Sequence, residues 1–241
     1  MKFKVIHFET LASTNDEAAN GIYRHGDVIV ASYQSSGRGQ RGNVWHSDEG
    51  KNLTFSLVVE PREIAASSQF LISMMTSVAV AKTLESYGVE GVEIKWPNDI
   101  LVRGQKISGI LIEHNLLGCE LSRSIIGVGI NVRQESFKVE GANPTSLSLQ
   151  LGRMVKCEEV LERFLSTFKK LYPMSTNTDT LSELYTSRLY RREGLHPYID
   201  AETHESFLAT IESIDPNMGG ITLRLIDNTH RTYYFKEVIF A

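Results

Sequence analysis

The sequence contains only two cysteines, Cys119 and Cys157, among its 241 residues, and they do not form a C-x-x-C pair. Two isolated thiols cannot build a disulfide framework or a cysteine-based zinc site. The seven histidines are scattered, so the spacing of a metal-binding motif is missing as well. The sequence therefore predicts no metal-ligating residues.

Long apolar runs and a strong excess of one charge are also missing. No stretch approaches the roughly 20 apolar residues that a membrane-spanning helix needs, and the first residues alternate in place of a signal-peptide core. The net charge of −4 does not favour nucleic acid or an anionic membrane as a partner. We expect a cytoplasmic protein without a DNA or membrane partner, in which any anion site is a local cluster of cations.

The patterns that are present predict an α+β protein. Residues 52–59 alternate like a strand, and apolar residues between about 67 and 87 recur at helical spacing. Thr14 and Glu17 fit a capping box that opens a short helix. Further strands are predicted at 3–8, 28–33, 92–96, 100–102, 106–113 and 121–132, with two more helices at 161–171 and 181–189.

The last quarter of the chain has a different texture. Short strands are predicted at 206–214, 220–225, 232–235 and 238–240, separated by turn residues. A tail of this length suits a small barrel. The predicted domains are therefore 1–193 and 194–241.

A glycine-rich loop at residues 37–42, GRGQRG, matches the pattern G-x-G-x-x-G. A dinucleotide-binding fold needs a helix directly after it, and residues 43–50 are a poor helix start. A kinase is excluded because HRD and DFG are absent, and no P-loop motif occurs. Either Arg38 and Arg41 bind an anionic ligand, or the loop is a solvated surface segment with incidental arginines.

A second cluster, KWPND at residues 95–99, ends a predicted strand, where a scaffold commonly presents site residues. Lys95 also fits an exposed strand position, and for Trp96 a core position is favoured. Lys106 follows seven residues after Asp99 and opens an apolar strand. A cation is unfavourable there, which points to a functional role.

A third cluster lies in the strand predicted at 121–132. Gly127, Gly129 and Asn131 share the face opposite the apolar residues. The two glycines leave either a trough for a flat ligand or room for a closely packed neighbouring element. Asn131 offers a donor and an acceptor that suit an adenine edge.

These clusters, in this order, resemble the biotin protein ligase family, over about residues 5–135. The KWPND segment joined to K-x-x-G-I-L-x-E is the most specific part. The resemblance implies a mixed β-sheet flanked by helices, related to class II aminoacyl-tRNA synthetases, with a small C-terminal SH3-like β-barrel. Because Ser13 lies near the start, we expect the monofunctional type, without the N-terminal DNA-binding domain.

The activity implied by the resemblance is ATP-dependent activation of biotin to biotinyl-5'-AMP, with Mg²⁺, followed by transfer of biotin to a specific lysine of a biotin carboxyl carrier protein. The alternatives are a lipoate or octanoate ligase or transferase of the related fold and a non-catalytic biotin- or nucleotide-binding module. Exposed sheet edges also allow a homodimer.

The resemblance also implies site residues. The predicted biotin-binding residues are Ser13, Thr14, Asn15, Gln34, Gly37, Arg38, Gly39, Lys106 and Gly109. The predicted ATP-binding residues are Arg38, Gln40, Arg41, Trp45, Lys95, Asn98, Asp99 and Asn131. Arg38 and Lys106 are expected to be catalytic, because positive charge offsets the repulsion between a carboxylate and a phosphate. Many relatives carry arginine in place of Gln40 and Asn43, which predicts weaker retention of the adenylate here.

Overall fold

A computed structural model of the chain describes residues 1–137 and 143–241, with the backbone alone at Arg41 and Thr176. Seven strands form the larger sheet, in the order β1-β2-β3-β7-β6-β5-β4. They are β1 (Lys4–Leu11), β2 (Asp27–Gln34), β3 (Leu53–Val59), β4 (Val92–Lys95), β5 (Asp99–Val102), β6 (Gln105–Leu117) and β7 (Glu120–Ile130). The β1–β2 pair is parallel and the other pairs are antiparallel, so the sheet is mixed.

Helices cover both faces of this sheet. They are α1 (Thr14–Ala18), α2 (Phe70–Glu85), α3 (Leu147–Leu151), α4 (Cys157–Leu171) and α5 (Thr178–Thr186). The main core lies where α2 and α4 pack against the sheet, and it includes Phe55 and Phe164. A smaller apolar cluster around Ile29 and Val58 lies on the opposite face, beneath α1. No helix in the described ranges is long and apolar enough to cross a membrane.

The C-terminal part forms a separate antiparallel sheet of five strands, in the order β11-β10-β9-β8-β12. They are β8 (His196–Asp200), β9 (Ser206–Ile214), β10 (Ile221–Leu225), β11 (His230–Tyr233) and β12 (Val238–Phe240). The sequence missed β8 because Pro197 argues against a strand. The predicted fold class is confirmed, whereas the domain boundary after residue 193 stays a prediction.

The predicted capping box at α1 is wrong. Ser13 is the N-cap and its side chain makes no capping bond, while Thr14 is the first helical residue. The Thr14 N–H donates to Gln34 Oε1, 2.7 Å away, at the end of β2. Glu17 instead accepts hydrogen bonds from Tyr23 and Asn20. A pattern of four neighbouring residues carries no information about a partner 20 positions away.

Trp96 joins the two sheets. Its side chain is buried, as predicted, and its Nε1–H donates to the carbonyl oxygen of Gly219 at 2.9 Å. The Trp96 ring packs against Phe235, with a centroid distance of 5.6 Å. The Phe70 N–H donates to Asn217 O at 3.0 Å, which ties the start of α2 to the same turn. The C-terminal sheet is therefore held against the end of β4, beside the site described next.

Candidate functional site

A cavity of about 520 Å³, called the main cavity below, lies on the α1 face of the larger sheet, a size typical of ligand pockets. The predicted site residues that line it are Ser13, Thr14, Asn15, Gln34, Arg38, Gly39, Gln40, Trp45, Lys95, Asn98, Asp99, Lys106 and Gly109. Segments far apart in sequence therefore meet in one cavity. In particular, Arg38 and Lys106 both line this cavity.

Two predicted residues, Gly37 and Asn131, are not part of this lining. Gly37 pairs the two arms of the glycine-rich loop, since its carbonyl accepts the Trp45 N–H at 2.9 Å and an added Cβ would lie 2.5 Å from Trp45 O. Asn131 is buried, and its Nδ2 donates to Thr145 O at 3.0 Å. The Arg41 side chain lies outside what the structure describes. Ligand-binding roles for these residues stay predictions.

One end of the cavity is a wall of buried polar side chains. Ser13, Thr14 and Asn15 are almost fully buried at the start of α1. Ser56 Oγ lies 2.8 Å from Thr14 Oγ1 and 2.6 Å from Asn15 Oδ1. Such a wall offers oriented donors and acceptors to a small polar ring system. Sequence reasoning missed Ser56, because it alternates with core residues in an otherwise apolar strand.

Arg38 is held by two carboxylates, one on β6 and one on α1. Its guanidinium makes two parallel bonds to Glu113, at 3.0 and 2.7 Å, and contacts Asp16 at 2.7 Å. The hydrogen bond to Glu113 is the main cause that raises the pKa of Arg38. Glu113 also accepts from Asn15 Nδ2 at 2.7 Å. The Arg38 charge is therefore compensated in this state, and the side chain clamps the loop onto β6.

At the glycines on β6 and β7, neighbouring side chains lie so close to the backbone that a residue with a Cβ would clash with them. Gly109 and Gly129 are register partners, and the Trp45 ring lies over both. A Cβ on Gly129 would come within 2.4 Å of Trp45, and a Cβ on Gly127 within 2.2 Å of Asn15 Oδ1. Neighbouring side chains pack closely on Gly127 and Gly129, and both glycines also line the main cavity, so a flat ligand on this face stays a prediction.

The opposite end of the cavity carries most of its cations. Lys106 Nζ lies 2.7 Å from Asp99 Oδ1 and 6.0 Å from the centre of the Trp45 ring. Lys95 Nζ lies 5.6 Å from the centre of the Phe240 ring. A site with two ammonium groups beside one carboxylate suits a polyanionic ligand.

The C-terminal sheet also lines this end of the cavity, which the sequence did not predict. Its contributions are Lys236, Val238, Ile239 and Phe240. No local signal identifies them, because they reach the cavity only through the packing of Trp96 between the two sheets. The cavity is thus completed by both parts of the chain.

Residues 7–131 match the model of the Biotin/lipoate A/B protein ligase family, which is more than half of the chain. The chain belongs to this family. The matched segment runs from β1 to just beyond β7, so it includes every predicted site residue of this family member. The lining from the C-terminal sheet lies outside it.

Relatives and solved structures agree with the family assignment. The chain is 36% identical over 174 residues to the bifunctional ligase/repressor BirA of Bacillus subtilis, a match covering 70% of this chain and 53% of the relative. It is 32% identical over 147 residues to the biotin–[acetyl-CoA-carboxylase] ligase of Paracoccus denitrificans, covering 59% and 61%. The chain spans about half the length of the first of these relatives.

The fold matches biotin protein ligase from Aquifex aeolicus, solved in complex with biotin and ATP, with a TM-score of 0.81. The match covers 98% of this chain and 97% of that one, so it includes the C-terminal sheet. The sequence identity is 21%, and the likeness therefore concerns the fold alone.

Proposed function

We propose that the chain activates biotin with ATP, forming biotinyl-5'-AMP, and transfers the biotin to a lysine of a biotin carboxyl carrier protein. The observation that carries this proposal is the two-ended main cavity: a buried polar wall at α1 faces a cluster of cations around Asp99. The Paracoccus relative is named for this ligase activity, and the Aquifex structure holds biotin and ATP.

The polar wall is the proposed site for the ring system of biotin. Ser13, Thr14 and Asn15 are buried at the start of α1. The side-chain oxygen of Gln34 accepts a hydrogen bond from the Thr14 N–H. Preorganised donors and acceptors recognise a ligand without first paying for their own ordering. In this arrangement the biotin carboxylate points toward Lys106.

Adenylation brings two anions together. An oxygen of the biotin carboxylate attacks the α-phosphorus of ATP, and the bond between that phosphorus and the pyrophosphate oxygen breaks. Lys106 is placed to stabilise the charge that gathers on the α-phosphate oxygens. Arg38, on the other side of the cavity, adds positive charge and keeps the loop on β6.

Magnesium is proposed to enter with the nucleotide. The described residues contain no group of three or more His, Cys, Asp or Glu side chains that could enclose a metal ion. Mg²⁺ is commonly held by one or two carboxylates together with substrate phosphates, so Asp99 fits as its protein contact. When bound, the ion would neutralise charge on the departing pyrophosphate.

The proposed location is the cytoplasm, where Cys119 and Cys157 would remain the free thiols observed here. A homodimer is also proposed, through the edge of β6. Within the described residues, β5 pairs with β6 only over 105–109, so the stretch 111–117 has a strand partner on the β7 side alone. An unpaired edge of this kind can receive a strand from a second copy.

Incubation of the purified chain with ATP, biotin and the carrier domain of a carboxylase tests the proposal. We expect pyrophosphate release that requires biotin, and a carrier mass increased by one biotin. Release with lipoate in place of biotin would instead favour the lipoate branch of the family. Binding of biotin without pyrophosphate release would favour a non-catalytic module.

A further inference from the structure

A second cavity, called the side cavity below, lies next to the main cavity. Its volume is about 200 Å³, and it extends between α2, β6 and the C-terminal sheet. The two cavities share Gln40, Pro97, Asn98 and Ile110 as wall residues. The two cavities therefore adjoin at Asn98, the residue before Asp99.

The side cavity differs from the main cavity in charge. Among the side chains that the structure describes along it, there is no Asp, Glu, Lys or Arg. His114 is the titratable group on this lining, and burial lowers its pKa to about 4, so it is uncharged near neutral pH. Biotin and ATP are anions and gain nothing from such surroundings, whereas the cations of the main cavity attract them.

The lining also has a particular mixture of polarity. Ile112, Phe70 and Phe235 provide apolar walls. Ser77, on α2, is fully buried, lines the side cavity, and its Oγ has no hydrogen-bond partner. Met218 at the rim is 45% exposed, so the lining runs from solvent to the buried interior. This combination fits a chain of methylene groups that ends in an uncharged polar group.

We propose that the side cavity is the passage by which the acceptor lysine of the carrier protein reaches the adenylate. The inference rests on the proposed function, and it concerns the second step of that reaction. The neutral amine nitrogen attacks the carbonyl carbon of biotinyl-AMP, an N–C bond forms, and the bond from that carbon to the phosphate oxygen breaks. AMP leaves with the electron pair, and the surplus proton on nitrogen passes to water.

An uncharged passage would also produce the nucleophile. The ordinary pKa of lysine is about 10.4, so the free side chain is almost entirely an ammonium at neutral pH. Removing it from water into uncharged, partly apolar surroundings disfavours the charged form and lowers its pKa. The neutral amine then forms without a dedicated base, and the passage delivers it beside the cation cluster.

Two substitutions at Ser77 test the passage. Because Ser77 is fully buried, neither substitution changes the surface on which the carrier protein docks. Ser77→Leu fills the side cavity, and Ser77→Ala removes the hydroxyl without adding bulk. Three rates are measured: biotin-dependent pyrophosphate release, single-turnover transfer from enzyme-bound biotinyl-AMP to the carrier, and consumption of the same adenylate by hydroxylamine. Hydroxylamine is small enough to need no passage for a lysine stem.

In Ser77→Leu we expect pyrophosphate release and the hydroxylamine reaction close to wild type, and carrier transfer slower by at least about tenfold. Ser77→Ala should match wild type in all three rates. The pH profile of carrier transfer in the wild type should show an apparent pKa below the ordinary value of about 10.4 for lysine.

Carrier transfer that is unaffected in Ser77→Leu would overturn the passage, and so would an equal loss of the hydroxylamine reaction. If Ser77→Leu fails to fold, Ser73→Trp closes the same cavity from its half-buried rim and is judged by the same rates. A wild-type protein that releases no pyrophosphate with biotin would overturn the proposed function itself, and the passage with it.

Discussion

The two cations predicted to be catalytic have different surroundings. Arg38 is held between Glu113 and Asp16, whereas Lys106 has one carboxylate partner, Asp99. An anionic ligand that approaches Arg38 competes with two negative groups, and one that approaches Lys106 competes with one. Lys106 is therefore the cation more available to a developing charge.

Replacing Lys106 by alanine should separate catalysis from folding. We expect biotin-dependent pyrophosphate release to fall by at least about 10²-fold, since the charge gathering on the phosphate loses its donor. The Lys106 side chain is 37% exposed, so the lost ion pair should reduce the free energy of unfolding by no more than about 1 kcal/mol. Arg62→Ala removes an exposed ion pair elsewhere and is the matched control. Unchanged pyrophosphate release in Lys106→Ala would remove this residue from the site.

His114 should make the stability of the protein depend on pH. Burial lowers its pKa from 6.5 to about 4, so between these values the unfolded chain binds a proton at this residue that the folded chain does not. The free energy of unfolding therefore decreases as pH falls through this window. In His114→Gln the decrease should be shallower, measured by urea unfolding from pH 7.5 to 4. The exposed His7→Gln is the control, and curves for His114→Gln that run parallel to wild type would contradict the assignment.

At the scale of elements, the packing of the glycine-rich loop on the sheet shapes the main cavity. The loop puts Trp45 over Gly109 and Gly129, and Arg38 on Glu113. These contacts join segments that are about 65 to 85 residues apart, so the loop conformation depends on β6 and β7. Trp45 can lie in this position only because Gly109 and Gly129 have no side chains.

Gly129→Ala should displace Trp45. The added Cβ would approach the indole to 2.4 Å, which a real Cβ atom essentially never does, so the ring must move. We expect weaker ATP binding, by at least about tenfold in Kd, and a change in tryptophan fluorescence. Gly21→Ala, where a Cβ meets nothing within 4 Å, is the matched control. Equal ATP binding by Gly129→Ala and Gly21→Ala would show that Trp45 does not shape the nucleotide end.

At the scale of the whole molecule, the main cavity lies where the two sheets meet. Trp96 donates to Gly219, in the turn between β9 and β10 of the C-terminal sheet, and packs on Phe235. Lys236 and Phe240 from that sheet line the cavity. The C-terminal sheet is thus part of the cavity wall, and changes at the junction should affect ligand binding as well as stability.

Trp96→Phe keeps a ring at the junction but removes the donor to Gly219. The buried carbonyl oxygen then loses its partner, and we expect the free energy of unfolding to fall by about 1–3 kcal/mol. The KM for ATP should rise while the dependence on biotin concentration changes less, because the C-terminal lining lies at the cation end. Tyr234→Phe, at an exposed position directly after β11, is the control. Parallel changes in both KM values would argue against a local effect on the nucleotide end.

Periodic patterns predicted most of the elements, because burial on one face leaves a period in the sequence itself. The alternation at 52–59 predicted the strand observed as β3, and the helical spacing at 67–87 predicted the helix observed as α2. The prediction missed β8, where Pro197 interrupts the pattern, and α3, which is only five residues long. The predicted capping box is wrong because the Thr14 N–H donates to the side chain of Gln34, at the end of β2.

The sequence by itself determined which chemical groups the site contains. The GRGQRG segment, the KWPND segment and Lys106 together match one family pattern, which can be recognised without the structure. Tertiary structure alone decided their partners: Arg38 on Glu113, Trp45 over Gly129, and a cavity wall from the C-terminal sheet. The reason is physical. Local periodicity records which face of an element is buried, but a contact between distant segments depends on how whole elements pack, and no single segment encodes that arrangement.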